Sequence, residues 1–180
     1  ALHLQVLQRD WLSSNQVVFM DPQAHSASVV DTGYSSHAPQ TVALLEAALQ
    51  RASESNVVIL AAAGNGGPTA EPMYPAAYNT VVAVTAVDAG GQVFRLANRG
   101  DYLQLAAPGV GVRHAEAGGG FTSSSGTSFA VPFAATAVAR LRQVQPTDNA
   151  LELLCRTAED LGPPGRDSIY GFGLLRPASS

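Results

Sequence analysis

Apolar and polar positions along this 180-residue chain change period several times. Leu2, Leu4 and Val6 alternate with polar residues as a strand does, and after a polar stretch a second short apolar run follows at Ala27-Ser28-Val29-Val30. From Thr41 to about Ala52 the period lengthens, so that Val42, Leu45, Leu49 and Ala52 share one face of a predicted helix whose stripe must pack on a sheet. Val57 to Ala63 is then apolar without interruption, and Thr80 to Val87 is a second such run. Runs of this kind fit strands covered on both faces, which favours a parallel sheet joined by crossover helices. Shorter strands are predicted around Val93-Phe94, from Tyr102 to Leu105 and from Gly111 to Arg113, and two helices, 127–143 and 147–157, close the chain. The pattern predicts an α/β fold, a largely parallel sheet with helices on both faces, in a single domain over residues 1–180.

Composition narrows the function classes. At 46% hydrophobic and 13% charged residues the chain can build a core, and a formal net charge of -4 provides no basic footprint for nucleic acid or anionic lipid. The apolar run Val57–Ala63 stops at Gly64-Asn65, far short of membrane-spanning length. The first residues lack a basic region, a long apolar core and an initiating Met, so they do not read as a signal peptide; a processed product or an excised fragment starts in this way. Cys155 has no partner for an internal disulfide, and its setting in Leu151-Glu152-Leu153-Leu154-Cys155 predicts a small buried hydrophobe rather than a reactive thiol.

Two short words carry candidate chemistry. Ser125-Gly126-Thr127-Ser128-Phe129-Ala130-Val131-Pro132 sets a serine at the mouth of the 127–143 helix. A serine hydroxyl is a poor nucleophile until it is exposed, aimed at a carbonyl and partnered with a base. Gly126 allows a sharp approach, Thr127 is placed to cap the helix, and Ser128 stands in the first turn, where unpaired N–H groups and the helix dipole favour a developing oxyanion. Pro132 is read as tolerated because first-turn N–H groups lack partners in any case. A plain Ser/Thr helix cap after a Gly-rich loop explains the same word without chemistry. The second word, Ala61-Ala62-Ala63-Gly64-Asn65-Gly66-Gly67-Pro68, sets an amide on a turn at the end of a buried strand, the end at which ligands sit in open α/β sheets. Asn65 is either a residue tolerating a left-handed turn or a hydrogen-bond donor into a cleft, as an oxyanion hole needs.

Taken together, four words resemble the subtilisin-like serine proteases, or subtilases. They are Val58-Ile59-Leu60-Ala61-Ala62-Ala63-Gly64-Asn65; Tyr74-Pro75-Ala76-Ala77 followed by Val81-Val82-Ala83-Val84; Leu105-Ala106-Ala107-Pro108-Gly109; and the serine word at 125–132. Their order and spacing agree with the family, and Tyr170-Gly171-Phe172-Gly173 resembles its closing glycine-rich strand. The resemblance covers most of the chain from about Val29 onward. It implies a peptide-bond hydrolase in which Ser128 is the nucleophile and Asn65, with the Ser128 N–H, the oxyanion donor. It also implies that Gly33-Tyr34-Ser35 is a substrate-pairing edge, that Ala62-Ala63-Gly64 walls the primary specificity pocket, and that Met73 lies near the pocket floor and narrows it. Family members are commonly exported, which implies a secreted or periplasmic protein, and often bind calcium, although no ligand set transfers to this chain; no cofactor is otherwise implied.

The family's triad runs Asp, His, Ser along the chain, and here the pattern is incomplete. No His-Gly-Thr-His word occurs. Asp31 fits the family's Asp-Thr/Ser-Gly word in Val29-Val30-Asp31-Thr32-Gly33, but between Asp31 and Asn65 there is room for only one helix and one strand. Asp31 therefore aligns with the edge strand, and the resemblance is to the C-terminal portion of the catalytic domain, with the Asp and His on a preceding segment or chain. His3 reads as an edge-strand position, His25 and His37 as loop residues, and His114 as the residue after a short strand. None opens a helix with a carboxylate partner, so each reads as solvated or structural, with His37, near the implied substrate edge, the strongest outsider. Asp88, Asp101 and Asp167 read as turn acids, and no metal-ligand spacing is visible.

Two rivals remain. Asp31-Thr32-Gly33-Tyr34-Ser35-Ser36 resembles the active-site word of aspartic proteases, but that chemistry needs two carboxylates sharing a proton and no second such word occurs. The stronger alternative is a degenerate, non-catalytic subtilase-like domain that binds peptides along its edge strand, or supports another chain, without cleaving. The expected partners are a peptide or protein substrate and the segment carrying Asp and His, with neither nucleic acid nor membrane. On its own the 180-residue chain is expected to be nearly inactive.

Overall fold

The structure, a computed structural model, describes residues 3–7, 16–21, 26–30, 38–144 and 150–176, and divides into two compact units, Ala1–Ile59 and Leu60–Ser180. In the first unit β1 (His3–Leu7), β2 (Gln16–Asp21) and β3 (Ser26–Val30) form an antiparallel sheet in chain order, with His3 opposite Met20 and Val17 opposite Val30. β2 lies within the stretch that reads from sequence as polar. Its Val17-Val18-Phe19-Met20 run is short, and pairing on both edges makes it the middle strand. The predicted 41–52 helix is present as α1 (Ala38–Glu54), with Leu49 buried and Glu46, Gln50, Arg51 and Glu54 exposed. Asn56 ends it in a left-handed conformation (φ 60°), with its own N–H on Ser53 O and the Val57 N–H on Ala52 O, so the last carbonyls are satisfied as in a Schellman motif.

In the second unit β4 (Ile59–Ala62), β5 (Val81–Val87) and β6 (Leu103–Pro108) lie side by side in that order. β5 and β6 run parallel, with Val84 opposite Leu105 and Val87 opposite Pro108. Every residue of β5 is buried, as an uninterrupted apolar run requires of a central strand. α2 (Thr127–Val144) packs on β5 and β6 and buries Ala130, Ala134, Val138 and Leu141 at helical spacing; α3 (Ala150–Thr157) packs on α2. Small residues let the helix approach closely: a Cβ on Gly109 would lie 2.5 Å from Ala86 Cβ and 3.2 Å from Ala130 Cβ. Pro132 lies inside α2 and not in its first turn, so the Ser128 carbonyl lacks the amide that would normally bond it.

β7 (Val112–Ala115) and β8 (Phe121–Ser124) form a hairpin whose tip, Gly118 to Gly120, has φ of 93°, 101° and 93°. The short, mostly polar sequence of β8 does not predict a strand, and the expected strand at Val93-Phe94 is a single bridge between Val93 and Val87. The closing Tyr170–Gly173 segment returns along β6: Phe172 N–H donates to Gln104 O, and Ala106 N–H to Gly173 O. A Cβ on Gly171 would strike the Gln104 backbone and one on Gly173 the Glu159 carbonyl, so both positions require glycine. Tyr170 then packs with Val87 and Ala106 in a buried cluster.

Candidate active site

The chain leaves β4 through Ala63 and turns at Gly64 (φ 111°), which presents the exposed Asn65 beyond the carboxyl end of the strand. The amino end of α2 approaches the same place. Thr127 is fully buried there, while Ser128 next to it is exposed in the first turn. Asn65 Oδ1 accepts two hydrogen bonds from Thr127, one from its N–H (2.9 Å) and one from its Oγ1 (3.1 Å). In turn Thr127 Oγ1 accepts from the Gly64 N–H at 3.1 Å. A carboxamide has one acceptor end and one donor end, so two donors on Oδ1 fix its orientation and leave Nδ2 to donate elsewhere. Nδ2 lies 3.3 Å from where a Cβ on Gly126 would stand, and the absence of that Cβ keeps the space open.

Thr127 therefore does something other than the expected helix capping. Its hydroxyl crosses to the loop after β4, and it is Asn65 Oδ1 that satisfies the first N–H of α2. Sequence reasoning misses this role of Thr127 because its partners are 62 and 63 residues away. The Ser128 hydroxyl has no hydrogen-bond partner among the described residues and lies beside first-turn N–H groups that lack intrahelical acceptors. The arrangement can present an oxygen nucleophile next to one amide donor and the positive end of a helix.

Residues expected to line a pocket gather around the end of β4. Ala63 and Gly64 are buried, Ala62 is half-buried, and Met73, 48% exposed, places its Sδ so near Gly64 that a Cβ there would be 2.5 Å away. Tyr74, also exposed, packs its ring against Tyr78 at 4.6 Å between centroids, and Tyr102 Oη donates to Ala63 O at 2.9 Å. Gly33, Tyr34, Ser35, Asp31, His25 and His37 lie outside the described residues, and His3 falls in β1.

His114 is engaged within the β7–β8 hairpin. Its Nδ1 donates to Ala115 O (2.8 Å), its Nε2 pairs with Ser124 Oγ (2.8 Å), and its ring stacks on Phe129 at 5.2 Å. The carbonyl can only accept, so Nδ1 carries a proton and donates, while Nε2 is paired with the Ser124 hydroxyl. Asp88 and Asp167 are turn acids: Asp88 Oδ1 accepts from Gly90 and Gln92 N–H groups, and Asp167 Oδ1 from those of Ile169 and Tyr170. Among the described residues no group of three or more His, Cys, Asp or Glu is arranged to hold a metal ion. Cys155 is partly buried, and burial pushes its thiol up to about 11, so it stays neutral.

The sequence pattern of the subtilase family matches residues 14–173. The minor extracellular protease Epr of Bacillus subtilis is 35% identical over 136 residues, which are 74% of this chain and 21% of that protein. A thermostable alkaline protease of Halalkalibacterium halodurans is 38% identical over 134 residues, 73% of this chain and 36% of its own length. Subtilisin DY of Bacillus licheniformis is 34% identical over 140 residues, 76% of this chain and 51% of its own. The chain thus spans about half the length, or less, of these relatives. The solved structure of the prenylagaramide maturation protease PagA superposes with a TM-score of 0.65 at 33% identity, covering 73% of this chain and 52% of that one. With the family pattern running from residue 14 to residue 173 and a solved protease of 33% identity superposing on 73% of the chain, this chain belongs to the subtilase family.

Proposed function

We propose that this chain is the nucleophile-bearing portion of a serine endopeptidase of the subtilisin type. The observation that carries the reading is the Asn65–Thr127 pair, which commits the Asn65 Oδ1 to Thr127 and so fixes its Nδ2 as the donor end, with the exposed Ser128 next to Thr127. Ser128 Oγ attacks the scissile carbonyl carbon as a histidine takes its proton, and the carbonyl π electrons move onto oxygen. Asn65 Nδ2 and the Ser128 N–H donate to that oxyanion. Collapse expels the amine, which leaves with the histidine's proton, and water then releases the acyl group from Ser128 by the reverse sequence. The histidine and the aspartate orienting it come from a segment or chain beyond residues 1–180. As further parts of this proposal, Gly33-Tyr34-Ser35 serves as a substrate-pairing edge, and Ala62, Ala63 and Gly64 wall the primary specificity pocket, with Met73 narrowing it. The protein acts outside the cytoplasm, in a secreted or periplasmic setting, a reading supported by the extracellular protease named among its relatives. No helix among the described residues is long and apolar enough to cross a membrane.

Fluorophosphonate labelling and peptide hydrolysis, run on residues 1–180 alone and on the full-length natural protein, test this. Full-length protein should be labelled at Ser128, and Asn65→Ala should lower its kcat by about 10²–10³-fold with little change in KM. Residues 1–180 alone should retain only about 10³–10⁴-fold acceleration over water. Labelling that survives Ser128→Ala would sink the reading. A non-catalytic peptide-binding domain is the second reading, favoured by the pairing of both His114 ring nitrogens within its own hairpin. It predicts peptide binding with no labelling in either form.

A further inference from the structure

We infer that Asn98 is the positioning residue for the oxyanion donor, its buried carboxamide setting the path of the 64–71 loop so that Asn65 meets α2. The inference rests on the reading of Ser128 as nucleophile and Asn65 as donor. Asn98 has no solvent exposure, and it is among the largest fully buried side chains. A buried amide is costly unless its hydrogen bonds are made, and here both ends are used on one loop. Oδ1 accepts from the Gly66 N–H at 2.7 Å, and Nδ2 donates to Glu71 O at 3.2 Å. The backbone N–H of Asn98 adds a third tie, to Gly64 O at 3.1 Å. The residues on either side of Asn65 are thus both bonded to Asn98, while the Asn65 side chain is bonded in the other direction, to Thr127.

Asn65 is consequently held at two ends by two residues far from it in sequence. Its backbone cannot shift without stretching the Asn98 bonds, and its carboxamide cannot turn without losing Thr127. Gly64 and Gly66 are shaped to the same clamp: a Cβ on Gly64 would lie 2.7 Å from Asn98 Nδ2, and one on Gly66 3.3 Å from Asn98 Oδ1. Gly67 N–H reaches back to Leu96 O at 2.8 Å, which extends the attachment of the loop to the 96–98 segment. Gly66 and Glu71 are exposed residues, so water can replace their bonds when Asn98 is shortened. Loss of Asn98 therefore loosens the loop more than it unfolds the protein. The consequence appears in the transition state, because misplacement of a reacting geometry by about 1 Å costs on the order of 10²-fold in rate.

The test uses the full-length protein with Asn98→Ala, Asn65→Ala and the double variant. Asn98→Ala should lower kcat by roughly 10–100-fold with KM within about threefold, and should cost less than about threefold more in the Asn65→Ala background. An equal loss in both backgrounds would overturn the inference, since Asn98 would then act by some route other than Asn65. Amide hydrogen exchange supplies a readout independent of catalysis. Exchange at the Gly66 N–H should quicken by about tenfold or more in Asn98→Ala. Unchanged Gly66 exchange in Asn98→Ala overturns the clamp whatever the kinetics. Full hydrolysis by Ser128→Ala marks the separate failure of the nucleophile reading.

Discussion

Thr127 touches no reacting atom in the proposed mechanism, yet its hydroxyl joins two segments that must meet for there to be a site. It donates to Asn65 Oδ1 and accepts from the Gly64 N–H while fully buried. Thr127→Val keeps the shape and deletes the hydroxyl, leaving a buried N–H without an acceptor and Asn65 with one bond in place of two. The expected cost is about 1–3 kcal/mol, measured by urea denaturation, with Thr127→Ser recovering most of it. A loss as large in Thr127→Ser as in Thr127→Val would assign the cost to the methyl group and not the bonds. A contrasting case is Thr85, whose buried hydroxyl in β5 has no partner among the described residues, so the same residue type appears once as a tie and once as an unsatisfied group.

At the level of elements, the site depends on how closely α2 lies on β5 and β6. Gly109, just after β6, is the narrowest point: beyond the contact with Ala86, a Cβ there would be 2.9 Å from Gly126 O. None of these neighbours is a flexible side-chain tip, so relief requires moving the amino end of α2. Gly109→Ala should therefore destabilise the protein by about 1–3 kcal/mol in thermal denaturation. Gly90→Ala, whose nearest contact would be Asp88 Oδ1 at 3.4 Å, should change stability by less than about 0.5 kcal/mol. If Gly109→Ala is as benign as Gly90→Ala, the close seating of the helix is not a constraint. The Pro132 within α2 and the glycines at 171 and 173 belong to the same scale, each being placed where backbone, not side chain, decides the geometry.

For the whole molecule, the family pattern runs from residue 14 to residue 173, while in the described residues Asn65 is tied to Thr127 next to the exposed Ser128 and His114 is engaged within its own hairpin. A global consequence follows from the lone thiol. Burial raises the Cys155 pKa to about 11 from an ordinary value of 9.0, so the folded state favours the neutral form. Its contribution to stability is complete below the unfolded value and is lost as pH rises through about 11. Unfolding free energy should therefore fall between those limits, and the Cys155→Ser variant should show a shallower fall in denaturation measured across that range. Identical slopes would mean that the thiol ionises alike in both states.

Local constraints make much of this protein legible from its amino-acid sequence. The buried strand at β5, the helices and the turns at Gly64-Asn65 and Ser125–Ser128 follow from apolar runs, helical spacing and the need for small residues where chains approach. The ordered family words carry the rest, including Ser128 and Asn65 as a pair. What tertiary structure alone decided is how that pair is held: Thr127 as a tie and not a cap, Asn98 as a clamp 32 residues beyond Gly66, and β2 and β8 as strands by virtue of their partners. For Thr127 and Asn98 the physical reason is the same: a hydrogen bond between residues far apart in sequence leaves no period or composition in either segment, and only the folded chain brings its two ends together. For β2 and β8 it is that short runs become strands through the partners they pair with.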